Sequence, residues 1–194
     1  MRQENRVEGE RMLIQLDRVH GLDWAVKAAK LSYNMEREVK PEEIFGVSTS
    51  DIELARKLAK AGPSHSKFLR AVIVWATIRA PRYFFAQFST YKVGTVELSQ
   101  STMHTLMKRG IAPEDFEGPI PLSWIDHLNS LRGEGQFTDL KALLPEGYLQ
   151  TRGVCMNYQV LRTMYHQRKS HRLKEWHEFC EWVETLPSSE LILA

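Results

Sequence analysis

The stretch FLRAVIVWATIRAP, residues 68–81, constrains the fold more than any other part of the chain. It concentrates Val, Ile, Trp and Thr, side chains that suit a pleated strand, and it stops at Pro81, which has no N–H to extend a ladder. Arg79 and Arg82 bracket that proline, so the strand delivers cations to its exit. With Arg70 they also interrupt the apolar run from Phe68 to Phe88, which falls short of the roughly 18–20 apolar residues of a membrane span. The segment beyond the proline, RYFFAQFSTYK, is aromatic-rich and reads as a short helix packed under the strand and broken at Gly94. Its aromatics Tyr83, Phe84, Phe85 and Phe88 read most simply as core.

Other elements follow from periodicity and punctuation. Residues 12–19, MLIQLDRV, have strand character. Residues 22–35 are alanine-rich with near-helical apolar spacing, and a loop around Pro41 and Gly46 follows. Asp51 is placed to cap a helix that stops at Gly62, with Ile52, Ala55, Leu58 and Ala59 as its apolar stripe. LSQSTMHTLMKRGI, residues 98–111, reads as a helix capped by Ser99 or Ser101. PLSWIDHLNSLR, residues 121–132, is a helix within a region punctuated by proline and glycine. Arg152 follows Thr151 in a turn. From Met156 to Pro187 the chain reads as two helices joined near Ser170, with Val160, Leu161, Met164 and Tyr165 on the first stripe and Leu173, Trp176, Phe179, Cys180 and Val183 on the second.

At 194 residues and 43% hydrophobic, the chain fits one domain, residues 1–194, with a sizeable core. A net charge of +2 is too mild to argue for nucleic acid. The charged N-terminal stretch, residues 1–12, lacks an apolar signal core, which makes a cytoplasmic protein with no membrane association the expectation. The two cysteines, Cys155 and Cys180, sit in apolar-periodic segments and read as buried thiols. His166 and His171 are five apart, poor spacing for one helical face, so no metal site is expected.

Three patches in order resemble the flavin-dependent thymidylate synthases: residues 25–35, residues 59–88 with His65, Arg79-Ala80-Pro81 and Gln87-Phe88, and residues 144–176 with Leu144-Pro145, Arg152, Asn157, Arg168, His171 or Arg172, and Trp176. The resemblance implies an α+β fold with a central, mainly antiparallel sheet flanked by helices. It implies an enzyme that methylates C5 of dUMP or a related pyrimidine deoxynucleotide with reduced FAD, using NADPH and methylenetetrahydrofolate as co-substrates. It also implies a homo-oligomer, a tetramer, with active sites between subunits. Carried over residue by residue, it assigns Ser99 and Arg168 to catalysis and, with Arg152, to substrate binding. It assigns Ser32, His65, Tyr91, Lys92, Asn157 and His171 to the flavin.

The family's signature, Arg-His-Arg, seven residues, then Ser, is altered here. The chain has Thr90-Tyr91-Lys92, six residues, then Ser99, with Gln-Ser-Thr in place of Gly-Arg. Arginine offers a fixed bidentate fork that threonine does not reproduce. Arg79 and Arg82, near in sequence, are candidate substitutes.

Bland readings stand beside these. Ser99 and Asn157 serve equally well as helix caps, His65 as a turn histidine, and Arg152 alone as a surface residue. A non-catalytic nucleotide-binding or oligomeric scaffold protein on the same fold is the alternative to the enzyme. A nucleic-acid module on the basic segment around Arg162, Arg168, Lys169, Arg172 and Lys174 ranks last, because Glu175, Glu178, Glu181 and Glu184 follow directly.

Overall fold

The computed structural model describes residues 6–7, 12–30 and 48–194. Ser32 and the loop around Pro41 and Gly46 lie outside the described residues. In chain order the elements are β1 (Arg6–Val7), β2 (Leu13–His20), α1 (Leu22–Lys30), α2 (Thr49–Lys60), a 3-10 turn (Lys67–Ala71), β3 (Ile73–Pro81), α3 (Arg82–Phe88), β4 (Thr95–Ser99) and α4 (Thr102–Thr105). They continue with β5 (Ile120–Pro121), α5 (Leu122–Gly133), α6 (Phe137–Leu143), β6 (Leu149–Asn157), α7 (Tyr158–Arg168), α8 (Lys174–Glu184) and α9 (Glu190–Leu193).

The proline-terminated strand forms, but later than its composition suggests: Phe68 to Ala71 wind into the 3-10 turn, and β3 begins at Ile73. Within β3 Val74, Ala76, Ile78 and Ala80 are wholly buried while Trp75 is 39% exposed, so the strand packs one face and leaves the other open. It lies inside an antiparallel four-stranded sheet of order β2-β3-β6-β4, with β4 at one edge. A separate antiparallel pair joins β1 to β5, Arg6 opposite Pro121 and Val7 opposite Ile120.

The chain divides into two compact units. The first contains Met1–Gln15, Thr77–Thr90 and Glu97–Gly153. Its helices α5 and α6 pack together over a core that includes Leu106, Phe116, Leu128 and Leu140. In α3 Phe84, Phe85 and Phe88 are fully buried, with ring centroids 5.6, 5.7 and 6.2 Å apart. These are the core aromatics that the sequence indicates.

The second unit contains Leu16–Ala76, Tyr91–Val96 and Val154–Ala194. There α7 packs against α8, α9 and the 3-10 turn, and α1 packs against α2. Ser48, not Asp51, caps α2. The Asp51 amide donates to Ser48 Oγ at 3.3 Å, and the Ser48 amide donates to Asp51 Oδ2 at 2.9 Å. Asp51 thus closes a reciprocal capping box and also pairs with Lys30 of α1.

Three expectations are corrected. Residues 98–111 are not one helix: Ser99 ends strand β4, and only the short α4 follows, with Ser101 at its N-cap position. The segment holding Arg152 is not a turn but the middle of β6, a central strand. The helix expected from Met156 begins at Tyr158, because β6 runs through Asn157.

Candidate functional site

Strand β4 alternates: Val96 and Leu98 are 58% and 63% exposed, whereas Glu97 turns inward. In the first unit Glu97 meets Arg152 of β6. Arg152 Nη1 lies 2.5 Å from Glu97 Oε2, and both side chains are only 17% exposed. Around this pair Ser89 Oγ donates to Glu97 Oε2 at 3.1 Å and accepts from Arg152 Nη1 at 3.0 Å. Arg152 Nη2 donates to Gln150 Oε1 at 3.2 Å, and the guanidinium sits 4.0 Å from the Phe85 ring centroid. Arg152 Nε is buried with no hydrogen-bond partner among the described residues. The arginine expected to meet a phosphate is therefore neutralised internally, and an anion reaching it must displace Glu97.

A second cationic group stands in the same unit. Lys141, half-buried on α6, has its ammonium against Thr102 Oγ1 and no carboxylate partner among the described residues. Burial first, and then the Arg82 charge, push its pKa below the ordinary 10.5. Arg82 donates from Nη1 to the Leu144 carbonyl at 2.8 Å and pairs through Nη2 with the largely exposed Glu146 at 3.1 Å. Arg79 donates to the Glu114 carbonyl at 2.9 Å. Ser99 is exposed at the end of β4. The next residue, Gln100, extends the pairing, its amide donating to the Thr151 carbonyl at 2.8 Å. Sequence reasoning misses both Glu97 and Lys141. Glu97 stands between two apolar residues with nothing local to mark it, and Lys141 lies four residues before Pro145 in a short helix that sequence reading does not single out.

In the second unit Tyr91 and Arg168 come together. Arg168 Nε donates to Tyr91 Oη at 2.7 Å, and Tyr91 Oη donates to Gln167 Oε1 at 2.9 Å. The guanidinium carbon lies 4.8 Å from the Trp176 ring centroid and 5.4 Å from that of Tyr91. The two rings meet edge to face at 6.0 Å, and Trp176 is fully buried. Asn157 is the N-cap of α7, its Oδ1 accepting from the Val160 amide at 2.8 Å. Its amide group lies against Gly94, where φ is +84° and a Cβ would stand 2.6 Å from Asn157 Nδ2. His171 accepts from the Leu173 amide through Nδ1 at 3.2 Å, and burial followed by the charge of Arg168 lowers its pKa. His65 and Lys92 are exposed.

A groove of about 450 Å³ in the first unit is lined by Phe116, Pro119, Pro121, Trp124 and Pro145 among others, and by none of the residues expected at the site. Burial pushes up the thiol pKa of Cys155, and with Glu184 and Glu181 it takes that of Cys180 to about 11, so neither is an activated nucleophile. Among the described residues no cluster of His, Cys, Asp or Glu has the makings of a metal site, and no helix is long and apolar enough to cross a membrane.

No family model matches the chain, and no curated protein matches it in sequence. Solved structures do. The flavin-dependent thymidylate synthase ThyX from Helicobacter pylori, complexed with FAD and dUMP, superposes with a TM-score of 0.73 at 17% identity, covering 93% of this chain and 96% of that one. A second structure of that enzyme with FAD and dUMP gives 0.71 at 17% identity, over 94% and 96%. The UMP/dUMP methylase PolB from Streptomyces cacaoi, bound with 5-Br dUMP, gives 0.70 at 15% identity, covering 95% of each chain. These matches run nearly end to end and agree with the antiparallel sheet and its flanking helices. The chain has the fold of the flavin-dependent thymidylate synthases.

Proposed function

We propose that the chain binds a pyrimidine deoxynucleoside monophosphate, with the phosphate taken by Lys141 and Arg82. The carrying observation is the Lys141 ammonium, half-buried, at a depressed pKa, beside a second cation and with only a threonine hydroxyl against it among the described residues. Such a group is relieved by an anion that supplies the missing charge. The likeness in fold to proteins that carry dUMP or 5-Br dUMP supports the choice of nucleotide.

In this reading Arg152 shapes the site by holding Glu97, and Ser99 keeps the substrate role that the resemblance assigns it. Exposed apolar side chains support a homo-oligomer: in the second unit Trp75 of β3 and Val96 of β4 are 39% and 58% exposed. A second reading, C5 methylation with reduced FAD, NADPH and methylenetetrahydrofolate, draws on the synthase and methylase among the fold relatives.

The test is a thermal melt with dUMP, with deoxyuridine as the phosphate-free control. At about 100 times its Kd, a ligand adds about 2.7 kcal/mol, or roughly 5–10 °C for a chain of this size. dUMP raises Tm by that order, deoxyuridine does not, and Lys141→Gln removes the shift. An equal shift in Lys141→Gln refutes the assignment.

A further inference from the structure

The positions that the resemblance gives to a flavin are committed elsewhere in this chain. A dinucleotide such as FAD carries a pyrophosphate, which is held by guanidinium forks, ammonium groups or exposed amide donors. Among the described positions Tyr91 is engaged by Gln167 and Arg168, and its ring packs on Trp176. Asn157 caps α7 and is hemmed in by Gly94. His171 holds the Leu173 amide through Nδ1, and its lowered pKa disfavours a charged imidazolium. Thr90 Oγ1 donates to the Gln87 carbonyl at 2.7 Å, closing the end of α3. Of the described positions that the resemblance gives to the flavin, only Lys92 and His65 stand exposed, and Lys92 offers a single ammonium to a doubly charged pyrophosphate. The donor set does not fit a flavin pyrophosphate.

We propose that this chain works without a flavin, and that Tyr91 is the residue that closes the anchor. Its hydroxyl accepts a hydrogen bond from Arg168 Nε and its ring, with that of Trp176, lies beside the guanidinium, so a phenol already takes a donor that an anionic ligand would otherwise use. Each charge-assisted hydrogen bond that such a lock withholds from a ligand weakens its affinity roughly ten- to a hundred-fold. The inference deepens the nucleotide-binding reading, on which it rests for its ligand: a monophosphate alone, without a dinucleotide beside it.

The experiment is a titration of the purified full-length protein with FAD, read by flavin fluorescence and by melting, with dUMP titrated in parallel. The expected result is no flavin absorbance in the purified protein, an FAD Kd above about 100 µM, and a dUMP shift that FAD does not alter. An FAD Kd below that threshold, or a yellow protein, overturns the inference. If neither ligand binds, the nucleotide reading falls while the exclusion of flavin stands. The single variant Tyr91→Ala isolates the lock. An affinity for FAD at least about tenfold above wild type supports the role of Tyr91. No gain in a variant that still melts cooperatively overturns that role.

Discussion

Replacing Arg152 with alanine separates an internal structural arginine from a ligand-facing one. The substitution leaves the Glu97 carboxylate, 17% exposed, with only Ser89 Oγ to satisfy it among the described residues, and strips the cation from the face of the fully buried Phe85 ring. Removing one partner of a buried pair costs about 3–5 kcal/mol, and residual exposure brings that toward the lower end. Loss of the cation–π interaction adds about 1 kcal/mol, and the rotamer freedom of a long side chain that no longer needs ordering returns a comparable amount. The net loss is about 3 kcal/mol, roughly 6–12 °C in Tm. Glu97→Gln, which keeps an acceptor for the guanidinium, costs about 1–2 kcal/mol. The assay is urea unfolding of Arg152→Ala, Glu97→Ala and the double variant Arg152→Ala/Glu97→Ala, whose effects are non-additive by about 1.5–3 kcal/mol. An Arg152→Ala protein within about 0.5 kcal/mol of wild type that has lost its dUMP shift refutes the reasoning.

Three further outcomes follow from the same geometry. Because the Lys141 pKa is lowered, the native state binds fewer protons than the unfolded chain between that value and 10.5, so ligand-free stability rises with pH across that window. The dUMP shift shrinks over the same range as the ammonium deprotonates, which melts at neutral and alkaline pH check. Gly94→Ala drives a Cβ toward Asn157 Nδ2 at a backbone angle of +84° and loosens the α7 cap, lowering stability by about 1–3 kcal/mol in urea titration. Cys180, buried and with its thiol pushed up to about 11, reacts with a thiol reagent only on unfolding, and the half-buried Cys155 reacts slowly.

Much of the fold is legible in the sequence because local signals agree with one another. Branched residues up to Pro81, the stripe of α2 and the two C-terminal stripes each carry their own period. What stays hidden depends on partners distant in sequence. In β6 Gln150 and Arg152 alternate with residues of mixed character, so no apolar period marks the strand. Arg152 is tolerated on a central strand because Glu97 stands opposite it. β4 conceals itself in the same way, its inward residue being a glutamate and its outward ones apolar. At the site the resemblance points to Arg168 and Tyr91 separately. That one holds the other follows from the meeting of the Tyr91 turn with α7 and α8 within the second unit.

In this account Lys141 receives the phosphate of a pyrimidine deoxynucleotide, and calorimetric titration of dUMP into wild type and Lys141→Gln measures that directly. The prediction is saturable binding to wild type that weakens at least about tenfold in the variant, with the fold intact. Equal affinities, or no binding to wild type, contradict it.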